Sequence, residues 1–173
     1  DDIILNAALV QSSVINGNVG NDFLSVGDRI VLNDDGFPVG IIGAQVNFDN
    51  SYLLGGKGDD TLTGDDVNGG EINGNIGNDI IFVDNDSASG FNQYIGGGQG
   101  NDLITIQGNY TDSIIDGNKG IDTIVISDGI HSGSSVNGGE GNDVIRSRGL
   151  SKGLVINGDI GNDTIAATGN LGS

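Results

Sequence analysis

Gly97-Gly98-Gln99-Gly100-Asn101-Asp102-Leu103-Ile104 is one copy of a pattern that this chain writes seven times. Its centre is a six-residue turn, Gly-x-x-Gly-x-Asp, and the other copies begin at Gly17, Gly55, Gly74, Gly117, Gly138 and Gly158. Every turn ends in an acid: Asp22, Asp60, Asp79, Asp102, Asp122, Asp143 and Asp163. An aliphatic residue stands two places after each Asp, from Leu24 to Ile165, and another two places before each first Gly, from Ile15 to Ile156. From Gly55 onward the period is 19, 23, 20, 21 and 20 residues. Self-similarity at that spacing marks a solenoid, in which each repeat is one coil that buries its apolar side only against its neighbours.

The two aliphatic positions are nine residues apart across the turn in all seven copies, but from Leu62 onward they are ten to fourteen apart the other way round. One side of every coil is therefore fixed in length. Plain chain reversal tolerates loops of varied length, so the constant side points to something with strict geometry.

Composition restricts the rest. With 33 Gly, 5% aromatics and neither Trp nor Met in 173 residues, the chain has no material for a bulky core. Helices are disfavoured, because Gly costs about 1 kcal/mol per helical position relative to Ala. Runs such as Ile104-Thr105-Ile106 and Ile124-Val125-Ile126 alternate as strands do. The expected fold is all-β: a parallel β-solenoid, a β-roll or β-helix, with coils of about 20 residues. Each coil would be two short strands and two turns, stacked about 4.8 Å from the next. Gly at turn positions one and four, and Gly, Asn or Asp at position two, supply the positive-φ backbone of a tight corner.

Residues 1–54 read as N-terminal coils with an irregular or degenerate repeat, and 55–173 as regular coils continuous with them in one domain. The step from Gly17 to Gly55 is 38 residues, about two periods, with no turn between. Either a degenerate coil fills it, with Gly43-Ala44-Gln45-Val46 at its corner, or one coil carries an insertion around Asp34-Asp35-Gly36-Phe37-Pro38.

Charge points to a ligand. The chain has 24 acidic and 6 basic residues, net −18, and stacking places the turn aspartates in a file. Two unit charges about 5 Å apart repel by roughly 1 kcal/mol even in water. A divalent cation relieves this. The donors on offer are carboxylates and backbone carbonyls, while Cys is absent and His131 is the one imidazole. Such hard oxygen ligands suit Ca²⁺ better than Zn²⁺ or Mg²⁺.

At Gly138-Gly139-Glu140-Gly141-Asn142-Asp143-Val144-Ile145 the chain resembles the glycine- and aspartate-rich nonapeptide of RTX (repeats-in-toxin) proteins, a Ca²⁺-binding parallel β-helix repeat. The resemblance extends over roughly residues 14–166. It implies calcium between stacked turns, each ion taking the carbonyls of positions two and four and the Asp of one turn. The carbonyls of positions one and three and the Asp of the next turn would complete the set. Carried onto this sequence, the first site joins Gly56, Gly58 and Asp60 to Gly74, Ile76 and Asp79. The second joins Asn75, Gly77 and Asp79 to Gly97, Gln99 and Asp102, and the third Gly98, Gly100 and Asp102 to Gly117, Lys119 and Asp122. The fourth joins Asn118, Gly120 and Asp122 to Gly138, Glu140 and Asp143, and the fifth Gly139, Gly141 and Asp143 to Gly158, Ile160 and Asp163. Asp22 would serve an end site, so the expected complement is five Ca²⁺ with room for a sixth or seventh.

Common RTX members repeat the motif every nine residues, with metal turns on both sides of the coil. Here it occurs once per coil, and the opposite turns, such as Val83–Gly90 and Ser127–Gly133, share no ligand spacing. That implies a single calcium file on one edge, a pattern closer to the calcium-bound repeats of large bacterial adhesins. The implied role is a secreted or cell-surface structural module, an adhesin, surface-layer or spacer segment.

Other functions are weaker on these residues. No catalytic motif surrounds His131, which reads as a solvent-facing residue in a variable turn, so the chain is not expected to be an enzyme. An accessory module of a secreted enzyme is an alternative. Ice binding would need a regular outward third position, whereas Val19, Lys57, Ile76, Gln99, Lys119, Glu140 and Ile160 are mixed. For polysaccharide binding, acidic glycans would be repelled and the sequence offers no aromatic platform. Expected partners are calcium ions, with self-association through open coil ends or other surface components, and neither nucleic acid nor membrane insertion. Extracellular calcium modules work at Kd ~10⁻⁴–10⁻³ M, which suits folding after export. No signal-peptide pattern and no run of about 18 apolar residues is read in these 173 residues, and the ends read as those of a segment of a longer polypeptide.

Overall fold

The computed structural model describes residues 2–5, 9–26, 30–32, 38–41, 47–65, 67–127, 129, 131–148 and 153–168. All of their regular structure is strand, and all but one of the strand pairings are parallel. The chain is a β-solenoid with coils of about 20 residues.

One long sheet runs in the order Asp2–Leu5, Phe23–Val26, Thr61–Asp65, Ile80–Phe91, Leu103–Thr111, Thr123–Ile126, Val144–Arg148, Thr164–Thr168. The other runs from Val14–Asn16 through Tyr52–Lys57, Glu71–Ile76, Tyr94–Gln99, Ile114–Lys119 and Ser135–Glu140 to Val155–Ile160. The Gly-x-x-Gly-x-Asp turns join the second sheet to the first. Aliphatic positions flanking the turns face inward in single file: Leu62, Ile81, Ile104 and Ile124 from one sheet meet Leu53, Ile72, Ile95 and Ile115 from the other, all fully buried. Each contributes about 1.5–3 kcal/mol on leaving water, and a core one residue wide suffices because every coil repeats it. Ile165 is 47% exposed, since among the described residues no strand pairs on the far side of Thr164–Thr168.

The coil has three sides, not two. A short third strip contains Leu9–Gln11, Asn47–Asp49 and Val67–Asn68, and is carried on by Ser89–Phe91, Asn109–Thr111 and His131–Ser132. It ends at a left-handed corner formed by Ser12, Asn50, Gly69, Asn92, Asp112, Gly133 and Gly153, with φ between 47° and 74°. Each of these stands five residues before the first Gly of its turn. After them, Ser51, Ser113 and Ser134 are buried, and their hydroxyls accept the backbone N–H of Ser13, Gln93 and Ser113 at 3.1–3.3 Å. The invariant arc of each coil therefore starts well before the glycine turn, and length variation is confined to the connection that leads from the first sheet into this strip.

The 38-residue step is an insertion. Phe23–Val26 pairs directly with Thr61–Asp65, and Val14–Asn16 with Tyr52–Lys57, so no coil intervenes. Ile30–Leu32 and Pro38–Ile41 form an antiparallel hairpin, the one departure from parallel pairing. Gly43–Val46 and 33–37 lie outside the described residues. Phe82 alternates with the core residues Ile81 and Val83 and so faces outward, yet is 1% exposed, and Ser25 and Thr63 beside it are also buried. The hairpin strand Pro38–Ile41 lies against Ile80–Phe91, the segment that carries Phe82.

His131 departs from its expected exposed position. It is 1% exposed and stacks on the buried Tyr110, ring centroids 5.7 Å apart and 23° between planes. The register Tyr110↔His131 puts both rings inside consecutive coils. Burial lowers its pKa, against a raising hydrogen bond to the Ser127 backbone, so the ring is neutral.

Candidate metal edge

The turn aspartates form a hydrogen-bonded file. The backbone N–H of Asp22 donates to Oδ1 of Asp60, that of Asp60 to Asp79, Asp79 to Asp102, Asp102 to Asp122, Asp122 to Asp143 and Asp143 to Asp163, at 2.7–2.9 Å. These bonds span 38, 19, 23, 20, 21 and 20 residues, the periods of the sequence.

The second oxygens are the notable atoms. Oδ2 of Asp60, Asp79, Asp102, Asp122 and Asp143 is buried with no hydrogen-bond partner. Leaving a buried polar atom unsatisfied costs about 1–3 kcal/mol, more for a charge. Each Oδ2 points at the first Gly of its own turn. A Cβ added at Gly138 would lie 2.6 Å from Asp143 Oδ2 and 2.6 Å from the Gly158 carbonyl oxygen; at Gly55 it would lie 2.5 Å from Asp60 Oδ2 and 2.7 Å from the Gly74 carbonyl oxygen. Gly74, Gly97 and Gly117 repeat the arrangement. Position one is thus glycine because a carboxylate oxygen and the next coil's carbonyl occupy the space a side chain would need, and not, as expected, for a positive φ, which only positions two and four adopt.

The remaining turn positions are set by backbone constraints. Position two has positive φ throughout, 65–75° at Asn18, Asn75, Asn118 and Asp159 and 102–111° at Gly56, Gly98 and Gly139. Where it is not glycine, an Asx residue braces it: Asn16, Asn73, Asp116 and Asn157 each accept its N–H through Oδ1 at 2.9–3.1 Å. Position three turns its side chain outward and its carbonyl into the ladder. The oxygens of Ile76, Gln99, Lys119, Glu140 and Ile160 accept the N–H of Gly58, Gly77, Gly100, Gly120 and Gly141 at 2.8–2.9 Å. Lys119 and Glu140 make a 3.9 Å ion pair at the rim, both about 60% exposed, an arrangement that contributes little. At position four, a Cβ on Gly58, Gly77, Gly100, Gly120, Gly141 or Gly161 would overlap the position-four carbonyl of the preceding coil.

Position five carries a second file that sequence reasoning missed. Asn21, Asp59, Asn78, Asn101 and Asn142 accept through Oδ1 the N–H of the position-five residue one coil later, at 2.7–3.0 Å. This file runs opposite to the Asp file, whose carboxylates receive the N–H of the coil before. Its signal was the Asn or Asp preceding the terminal Asp in six of seven turns, Ile121 being the exception.

Burial first, and neighbouring carboxylates after it, push Asp79, Asp102 and Asp122 up to about 7, against the lowering effect of the one N–H each accepts. Asp60 and Asp143 are raised for the same reasons. The edge is therefore a file of acids that need a positive partner or a proton to remain inside. Among the described residues no three Asp, Glu or His side chains converge on one point. A cation here would take one or two carboxylates and complete its shell from backbone carbonyls, a donor set proper to a hard ion.

No protein-family model, curated protein or solved structure matches this chain.

Proposed function

We propose that the chain is a calcium-dependent structural module of a secreted or cell-surface bacterial protein of the RTX kind, and that it folds on binding Ca²⁺. The reading is carried by one observation: five buried carboxylate oxygens without partners, each beside a position-one glycine and a carbonyl of the next coil. Asp60, Asp79, Asp102, Asp122 and Asp143 would hold the ions, with the turn carbonyls filling the remaining positions. Bound calcium supplies positive charge where the file has none. Five ions would take the formal charge from −18 to about −8. Its role is mechanical: a stack of coils, stiff when loaded, acting as a spacer or adhesin segment outside the cell.

A calcium titration followed by circular dichroism and calorimetry tests this. The expected result is cooperative gain of β-signal with calcium, its loss with chelator, and a stoichiometry near five. A chain equally folded at neutral pH in chelator would remove the reading.

A further inference from the structure

The outward face of the second sheet carries an aromatic column. Tyr52 and Tyr94 each stand three residues before the first Gly of their turns, and the register Tyr52↔Glu71↔Tyr94↔Ile114 lines them up two coils apart. The column corrects the expectation that no aromatic platform exists.

Tyr94 is held flat. A Cβ at Gly96 would meet its ring at 2.7 Å, so the ring lies over a residue with no side chain, while its hydroxyl hydrogen-bonds the Asn118 side chain at 3.0 Å. Tyr52 is 46% exposed. Between them Glu71 is oriented by the Asn73 side-chain amide, which donates to its Oε1 at 3.0 Å. On the corner side, Gly69 and Gly70 remove the side chains of one coil, leaving a cleft of about 310 Å³ bordered by both tyrosines, Glu71, Asn92 and Asp112.

We propose that this face binds an extended neutral polysaccharide of β-linked pyranoses. Flat aromatic faces take the apolar faces of sugar rings, and amide and carboxyl groups beside them take equatorial hydroxyls. The two tyrosines are about 9.6 Å apart along the stack, two strand spacings. That fits a ribbon-like glycan whose alternate residues present the same face: one sugar sits on Tyr52, the next-but-one on Tyr94, and Glu71 with Asn73 serves the sugar between. The net charge of −18 selects against uronates and sulfated chains. The inference rests on the preceding reading only in requiring folded coils.

The test uses the full chain in calcium, with folding confirmed by circular dichroism, titrated with cellohexaose and with hexagalacturonate. Calorimetry and tyrosine fluorescence report binding; there is no Trp, and the third tyrosine, Tyr110, is buried. Saturable binding of cellohexaose is expected, weakened tenfold or more by Tyr52→Ala and by Tyr94→Ala, and weakened by Gly96→Ala, which lifts the Tyr94 ring. Hexagalacturonate should bind at least tenfold more weakly. A folded chain that gives no signal with cellohexaose, or one whose binding survives both tyrosine substitutions, overturns the proposal. So does equal binding of the acidic hexamer, or a self-association in ultracentrifugation that the tyrosine substitutions abolish, which would give the column to a second copy. Loss of folding in chelator alone bears on calcium, not on the glycan.

Discussion

The backbone N–H of Asp79 donates to Oδ1 of Asp102 at 2.8 Å, while Oδ2 of the same Asp102 is buried without a partner. One carboxylate thus has a structural oxygen and a vacant one, and substitutions can separate them. Asp102→Asn retains an acceptor at Oδ1 and removes the charge; Asp102→Ala removes both. The Asn variant should lose about two ions from the calorimetric stoichiometry with a modest loss of stability, because Asp102 would border two of the proposed sites. The Ala variant should lose the same ions and a further 1–3 kcal/mol, the expected penalty for an unsatisfied buried N–H, read as a lower melting temperature in saturating calcium.

Gly20 and Gly100 separate strain from collision. Both have positive φ, 127° and 134°, but a Cβ on Gly20 meets nothing within 4 Å, whereas one on Gly100 overlaps the Gly77 carbonyl. Gly20→Ala should cost about 1–3 kcal/mol through backbone strain alone. Gly100→Ala should cost more and split the calcium-induced transition, as coils on either side of a displaced contact fold separately. Thermal melts in calcium compare them directly.

Protons and calcium should compete for the acid file. Asp79, Asp102 and Asp122 have folded values near 7 against 3.8 for the free side chain. A raised carboxyl value stabilises the folded state below the unfolded value, and that contribution disappears as pH rises through the folded value. The chelated chain should therefore gain β-signal between pH 7 and pH 4, and calcium affinity should rise from pH 6 to pH 8 with proton release. Chelator titrations monitored by circular dichroism would show a flat response to pH if the acids were neutralised in another way.

His131 acts in the other direction. Its folded value is lowered below 6.5, so the unfolded chain takes up the proton first and stability falls as pH drops below about 6.5. His131→Phe should retain the stack on Tyr110 and abolish that loss, leaving the variant more stable than the parent at pH 5 and closer to it at pH 8. Urea unfolding at the two values measures the difference.

Much of this architecture was legible from periodicity, because a solenoid repeats its chemistry in its letters. The Asp file, the glycine at position one and the inward aliphatics all follow from the aligned copies. The left-handed corner at Ser12, Asn50, Gly69, Asn92, Asp112, Gly133 and Gly153 was equally regular, but its signal is a shared tolerance for positive φ and not a shared residue. Tyr52 and Tyr94 were also in register, and only pairing across coils makes them neighbours. His131 and Phe82 were not legible: each occurs once, and its burial depends on what lies over it. The unpartnered Oδ2 atoms of Asp60, Asp79, Asp102, Asp122 and Asp143 were not legible either, because a sequence does not show which oxygens find a donor.

The hairpin has a further consequence. Strands on either side of residues 27–46 pair as though that segment were absent, and the lap that carries it breaks no bond of the Asp file. Replacing 27–46 with a short Gly-Ser linker should leave the calcium response intact and raise dye binding at Phe82, with Phe82→Thr restoring the parent's behaviour.

The connection from the first sheet into the third strip is therefore a port. A guest loop entering there leaves the lattice in register, so one lap can be made to carry foreign cargo while its neighbours count on as before.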